Sequence, residues 1–220
     1  MLPIVPLGKK GSTGLPLITL FICVICIIVF AFANAEADQL ALAFYADQLD
    51  PLKMFTSVFT HGSIWHLAGN LFFFYSFART IETQITVSGY LLAFAVFVLV
   101  TSLAFALTAN SPLPTIGLSG VVWGYMGMFL FRYPRDVISC WFIRTIEVPA
   151  FLFILAFLAF DIAGYRHGDA QVNYAAHFSG FIAGAAYKLA FWRIFTTEEP
   201  PAPARRPILG PRTPARTPRR

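Results

Sequence analysis

The sequence has little charge. Charged residues make up only 12% of its 220 positions, whereas hydrophobic residues make up 57%. Soluble domains carry about 25% charged and about 45–50% apolar residues. So little polar surface excludes a water-soluble globular fold, and so much apolar surface excludes a chain that is disordered throughout. A mean hydropathy of +0.67 and 24 phenylalanines predict a membrane protein with several spans and no sizeable soluble domain.

Cysteine is scarce as well, with only Cys23, Cys26 and Cys140 present. No disulfide framework is implied. Cys23 and Cys26 form a C-x-x-C pattern, but it lies inside the apolar run LFICVICIIVF. A redox or zinc pair needs polar, accessible surroundings, so we interpret both residues as buried apolar side chains. The sequence contains no metal-ligand cluster and no phosphate-binding loop, so we expect no cofactor, no metal and no nucleic-acid partner.

Six apolar segments are candidates for membrane spans, which need about 20 mostly apolar residues each. An open sheet cannot cross lipid, so we expect all six to be α-helices. The fold class predicted from the sequence is therefore an all-α, polytopic membrane protein. The segments are 15–35, 64–77 with its flanks, 87–109, 116–131, 148–163 and 175–195.

Lysine and arginine predict the orientation, because cytoplasmic loops carry an excess of both. With the N-terminus inside, 14 of the 16 basic residues face the cytoplasm, and only Lys53 and Arg166 lie outside. Both termini are then cytoplasmic. We divide the chain into an N-terminal segment (1–14), a six-span domain (15–195) and a disordered tail rich in proline and arginine (196–220).

The first span has an alternative interpretation. Lys9 and Lys10, an apolar stretch and then Ala33-Asn34-Ala35 resemble a cleavable secretory signal. The apolar stretch is longer than a typical signal core, and its removal would leave five spans. We therefore favour a retained span.

The long external connection, residues 36–61, mixes acidic with apolar side chains. That composition predicts a loop partly embedded at the membrane interface and containing short helices.

Polar residues within spans are costly and by default indicate function. They occur in the first turns of the second, fourth and sixth spans, which all run inward. The three clusters should therefore share one depth, within roughly 10 Å of the external surface. The clusters contain His61, His66 and Asn70 in the second span, Ser119 between Gly117 and Gly120 in the fourth, and His177, followed by Gly180, in the sixth.

Glycines spaced four apart, Gly120 with Gly124 and Gly180 with Gly184, let two membrane helices approach closely. Ser119 and His177 can then meet as nucleophile and general base. His66, Asn70 and the Ser119 backbone N–H are suitable oxyanion donors, and Trp123 could stack on the His177 ring. Two acids, Asp161 and Asp169, are possible orienters of His177. The sequence supports neither, so we predict a Ser–His dyad.

Three motifs together resemble the rhomboid family of intramembrane serine proteases, in its compact six-span bacterial form. They are H-x-x-x-N at His66–Asn70, G-x-S-G at Gly117–Gly120 and A-H-x-x-G-x-x-x-G at Ala176–Gly184. The resemblance implies a six-helix bundle in the bacterial inner membrane, with the active site toward the external face. It implies cleavage of membrane-anchored protein substrates in or near their transmembrane segment.

For single residues, the resemblance implies that Ser119 is the nucleophile, His177 its base, and His66 and Asn70 the oxyanion hole. It also implies structural roles for His61 and Glu82.

Two departures from the family pattern concern the surroundings of the site. Leu52-Lys53 replaces a Trp-Arg pair of many rhomboids, and Trp123 replaces a tyrosine. Two alternatives to a protease stay open: a catalytically silent, rhomboid-like protein that binds membrane clients, and a small transporter. A transporter would carry polar groups at several depths, whereas this sequence concentrates them near one face.

Overall fold

Six long helices occupy the predicted spans, and two short helices lie in the connection after the first. The structure is a computed structural model that describes residues 4–6, 14–33, 35–109, 112–140, 146–168 and 172–197. The predicted all-α class is confirmed. The helices are α1 (Leu17–Phe32), α2 (Glu36–Leu42), α3 (Pro51–Ser57), α4 (Ile64–Glu82), α5 (Val87–Thr108), α6 (Ser119–Arg132), α7 (Ala150–Arg166) and α8 (Tyr174–Phe195).

The helix boundaries follow from capping side chains. Ser63 accepts a hydrogen bond from the His66 backbone N–H at the start of α4, and Thr86 does the same for Gly89 in α5. Such caps satisfy N–H groups that have no partner within the helix. α4 ends at Glu82, five residues beyond its predicted end, and at 1.5 Å per residue it is about 28 Å long.

Short helices were expected in the connection after the first span, and this expectation is confirmed by α2 and α3. Asp50 begins α3 by accepting hydrogen bonds from the backbone N–H groups of Leu52 and Lys53, and Pro51 supplies a preset backbone angle at the first helical position. A two-way backbone bridge joins Phe44 to Thr115. The connection is thereby tied to the segment that leads into α6.

A small antiparallel sheet was not predicted. It consists of β1 (Ile4–Pro6), β2 (Val137–Cys140) and β3 (Ile146–Pro149), in the order β1-β2-β3. Val5 pairs with Ser139, and Ile138 pairs with Val148. Because β2 follows the end of α6, the sheet lies at the end of the bundle opposite Ser119.

Large apolar side chains cover much of the exterior. Leu107 is 86% exposed, and Trp65 and Phe32 are each 83% exposed. An apolar exterior of this kind is stable in lipid, whereas in water it would drive association. By length and mean hydropathy alone, one described helix, α5, could cross a membrane, and α1 is a shorter apolar helix.

The helix pair α6–α8 is the centre of the bundle. α5 packs against α8, α4 against α6, and α1 against α4. α6 and α8 touch through their backbones: a Cβ atom at Gly180 would overlap the carbonyl oxygen of Gly120, and one at Gly184 would overlap that of Gly124. The predicted small-xxx-small contact is therefore present.

A second polar cluster lies at the opposite end of the bundle, which corrects the expectation that polar groups gather near one face only. The Glu82 carboxylate accepts hydrogen bonds from the Ile18 and Thr19 backbone N–H groups at 2.8 Å and from the Thr19 hydroxyl at 2.6 Å. The Thr19 hydroxyl also bonds that of Tyr90 at 2.8 Å. Glu82 thus caps α1 from the end of α4, in keeping with the structural role expected of it.

Several expectations fall outside the described residues: the disordered tail from residue 198 onward, Asn34 of the suggested cleavage site, and Asp169. Within the described residues, Cys23 and Cys26 are buried and free. Their interpretation as buried apolar side chains is confirmed.

The α6–α8 contact gives a stability prediction. Gly184→Ala should lower the free energy of unfolding by about 1–3 kcal/mol, because its Cβ meets backbone that cannot move aside. Gly69→Ala is the control, since a Cβ there meets nothing within 4 Å. Thermal unfolding in detergent micelles measures both. Equal melting temperatures for the two variants would contradict this account of the helix contact.

Candidate active site

Ser119 is the first residue of α6, and the chain before it is held in an unusual conformation. Gly117 has φ +108°, a region that side chains rarely adopt. Its backbone N–H donates to the Ser57 carbonyl oxygen at 2.9 Å. Because Ser119 begins the helix, its own N–H is among those that have no partner within the helix.

His177, in the first turn of α8, lies directly against Ser119. Its Nε2 atom is 2.8 Å from the Ser119 Oγ, a normal hydrogen-bond distance. The Gly120–Gly180 backbone contact lies one residue beyond Ser119 and three beyond His177. The close approach of the two helices therefore brings the two side chains together.

The other ring nitrogen of His177 faces a carboxylate. Nδ1 is 2.6 Å from Oδ2 of Asp161, which lies on α7. The two side chains are 11% and 17% exposed. Of the two acids considered from the sequence, Asp161 is thus in contact with His177, although no sequence pattern favoured it.

Aromatic rings enclose His177 on two sides. The Trp123 ring centroid is 5.8 Å from that of His177, with the planes inclined by 36°, so Trp123 lies where expected but is tilted rather than parallel. Tyr174 meets the His177 ring edge-on at 6.2 Å. Both contacts limit rotation of the imidazole.

His66 and Asn70 lie beside Gly117. A Cβ atom at Gly117 would be 2.7 Å from the His66 ring and 3.7 Å from Nδ2 of Asn70. The Asn70 amide nitrogen donates one proton to the His66 carbonyl oxygen at 3.0 Å. An amide nitrogen carries two protons, so a second remains to be donated. The structure thus brings both expected oxyanion donors next to the segment that carries Ser119.

His61 precedes α4 and supports His66. Its Nδ1 is 3.2 Å from the Phe59 carbonyl oxygen, and its ring meets that of His66 edge-on at 5.1 Å. Burial and, to a smaller extent, the neighbouring His66 lower the pKa of His61 to about 4. His61 is therefore neutral at pH 7, with its proton on Nδ1 because a carbonyl oxygen can only accept.

A small polar cleft of about 20 Å³, enough for about one water molecule, adjoins Ser119. The hydroxyl groups of Thr101, Ser102 and Thr115 and the amide of Asn173 contribute to its lining. Asn173 also caps α8 and donates to the Thr115 hydroxyl at 3.0 Å. The cleft offers water several hydrogen-bond partners beside the serine.

Comparison with known proteins identifies the family. The Rhomboid domain matches residues 48–194 of this chain, a stretch that includes α3 through most of α8 and every candidate site residue. The chain belongs to the rhomboid family. This is a family of polytopic helical membrane proteins, so the chain is a helical membrane bundle.

Individual rhomboid relatives are distant. The chain is 27% identical to Rhomboid protein 1, mitochondrial, of Saccharomyces cerevisiae over 141 residues, which are 62% of this chain and 40% of that protein. It is 28% identical to Rhomboid protease GlpG of Salmonella paratyphi A over 176 residues, or 77% of this chain and 61% of that protein, and the GlpG of Salmonella typhi matches to the same extent. The chain thus spans 40% to 61% of the length of these relatives.

Gly117 gives a prediction that separates two physical effects. Gly168 also has a positive φ, +73°, but a Cβ there meets nothing within 4 Å. Gly168→Ala should therefore cost only the backbone strain, about 1–2 kcal/mol. Gly117→Ala should cost more and displace the His66 ring. Thermal unfolding compares the two, and a Gly117→Ala variant as stable as Gly168→Ala would show that the His66 contact is unimportant.

Proposed function

We propose that this chain is an intramembrane serine endopeptidase that cleaves membrane-anchored proteins in or near their transmembrane segments. The observation that carries the proposal is the 2.8 Å contact between the Ser119 Oγ and the His177 Nε2 in a chain of the rhomboid family. The name of the Salmonella relatives, Rhomboid protease, supports the same reaction class. Ser119 and His177 are the proposed catalytic residues.

The proposed reaction has two halves. The Ser119 Oγ attacks the peptide carbonyl carbon while His177 Nε2 takes the hydroxyl proton. The tetrahedral intermediate then breaks its C–N bond, and the departing amine receives that proton. A water molecule next attacks the acyl carbon while His177 takes one of its protons. The C–Oγ bond then breaks, the acid product leaves, and the Ser119 Oγ regains the proton from His177. The polar cleft beside Ser119 is the proposed source of this water.

Stabilisation of the oxyanion is assigned to three donors. The second amide proton of Asn70, the His66 ring and the Ser119 backbone N–H all lie around the Gly117 segment. The start of α6 adds the partial positive charge of a helix N-terminus. Donors fixed before the reaction need no reorganisation when the negative charge develops.

The proposed substrates are single-span proteins with small or helix-breaking residues near the membrane surface. A transmembrane helix hides its carbonyl carbons behind its own hydrogen bonds, so it must unwind locally before Ser119 can attack. Residues of low helix propensity make that unwinding easier.

We propose that the site faces the outside of the bacterial inner membrane, with both termini in the cytoplasm. Arg79, Arg132 and Arg193 lie in the last turns of α4, α6 and α8, at the end of the bundle opposite Ser119. The guanidinium of Arg132 stacks over the Tyr133 and Trp192 rings, 4.7 Å and 5.1 Å from their centroids. Basic residues at this end support its assignment to the cytoplasmic side.

Cleavage of single-span reporters in liposomes, together with fluorophosphonate labelling, tests the proposal. Wild-type protein should cleave and become labelled, whereas Ser119→Ala and His177→Ala should do neither, because each lacks half of the reacting pair. Ser88→Ala is the matched control, since its exposed hydroxyl lies near the start of α5, away from the site.

Two results would contradict the protease. Reporter binding without cleavage or labelling by wild-type protein would favour a client-binding protein. Solute flux that persists in Ser119→Ala would favour a transporter.

Asn70→Ala should lower kcat by about 10- to 1000-fold, as loss of one oxyanion donor does. The effect should fall on kcat more than on KM, because the charge appears only in the transition state. Steady-state kinetics on a reporter measures the split. An unchanged kcat in a folded Asn70→Ala protein would remove Asn70 from the oxyanion hole.

A further inference from the structure

We propose that Asp161 of α7 is a positioning residue for His177, so that the site works as a Ser–His–Asp triad rather than a dyad. This inference rests on the proposed function. The contact that carries it is the 2.6 Å distance from the Asp161 Oδ2 to the His177 Nδ1.

Asp161 is a carboxylate in an otherwise apolar helix, so it needs a hydrogen-bonded partner. It is the only ionisable residue in α7 before Tyr165 and Arg166, and the eleven residues that precede it in that helix are all apolar. A carboxylate at such a position is costly unless it is paired and hydrogen-bonded. The imidazole of His177 supplies that partner.

The contact with Asp161 determines which ring nitrogen of His177 carries the proton. An ionised carboxylate can only accept a hydrogen bond, so Nδ1 of His177 must carry a proton. In the neutral ring, Nε2 is then left with its lone pair, and this atom faces the Ser119 Oγ at 2.8 Å. Asp161 thus selects the one tautomer in which His177 can take the serine proton.

The same carboxylate helps after proton transfer. When His177 accepts the Ser119 proton, the ring becomes a cation beside an anion in surroundings from which water is largely excluded. The attraction between the two charges is stronger there than in water. Asp161 does not need to take the proton for this effect.

Contacts with α8 hold Asp161 in place beside His177. Only Ala150 and Ile154 are buried within α7, so the helix is not held deep in the core. Near Asp161, a Cβ at Gly164 would overlap the Tyr174 hydroxyl, and the Tyr165 and Tyr174 rings meet at 6.1 Å. Tyr174 contacts the His177 ring as well. Tyr174 therefore sets the spacing between α7, which carries Asp161, and the imidazole of His177.

The first test compares Asp161→Asn, Asp161→Ala and Asp161→Glu in the reporter assay. Asparagine keeps a hydrogen bond between α7 and α8, but it has no charge and can serve either tautomer. We expect Asp161→Asn to keep the melting temperature and KM while kcat falls about 100- to 10,000-fold. Asp161→Glu should regain part of the activity lost in Asp161→Ala. Asp136→Asn, the same change at the far end of the bundle, should leave kcat unchanged.

The second test does not need activity. In protein labelled with ¹⁵N-histidine, NMR should show His177 with its proton on Nδ1 at low field, and Asp161→Asn should lose or shift that signal. His177→Ala identifies the resonance.

These measurements separate the two proposals. Wild-type kinetics in Asp161→Asn, alongside an inert Ser119→Ala, would overturn the role of Asp161 and leave the protease standing. An inactive wild-type protein would overturn the protease, and the histidine tautomer would still decide the role of Asp161: a His177 proton on Nε2 would overturn it.

Discussion

The direct backbone contact between α6 and α8 is the constraint on which the rest of the structure depends. Glycine at 120, 124, 180 and 184 removes the side chains that would otherwise separate the two helices. Helices separated by ordinary side chains have axes 8–10 Å apart, whereas α6 and α8 touch through their backbones beside Ser119 and His177, whose side chains meet at 2.8 Å. The hydrophobic effect does not drive helices together in lipid, so close packing of this kind contributes to the association of α6 with α8.

Hydrogen-bonded polar side chains inside this apolar bundle form one cluster at each of its two ends. At one end, Glu82 and Thr19 hold α1 against α4 through short hydrogen bonds. At the other end, the two ring nitrogens of His177 bond Ser119 and Asp161. Between the clusters, the fully buried rings of Phe74 and Phe97 pack on Tyr125. Aromatic packing at this level gives the polar end a rigid base, and it does not resemble the water-lined path of a transporter.

The sequence alone was enough for the helical class, the six long helices and the meeting of Ser119 with His177. Long apolar runs and four-residue glycine spacing are local signals, and a shared depth follows from helix direction. The three-stranded sheet was missed because Val5 pairs with Ser139, far along the chain, and strands of three or four residues carry no periodic signal. The polar cluster around Glu82 was missed because its partners are backbone N–H groups of α1, which have no sequence signature.

The direction of α7 places Asp161 at the same membrane depth as His177. Helices α6 and α8 begin at the end of the bundle that carries the site. Helix α7 runs in the opposite direction and reaches that end only in its last turns. An acid eleven residues after the start of a seventeen-residue helix therefore lies at the level of His177, in the first turn of α8. Depth alone narrows the acids that could orient His177 to those near the end of the fifth span. It does not identify the acid, because packing sets the rotation of α7 about its own axis. The close approach of Gly164 to Tyr174 turns that face of α7 toward α8. Asp161 lies three residues before Gly164, so it is on the same face and points toward α8 as well.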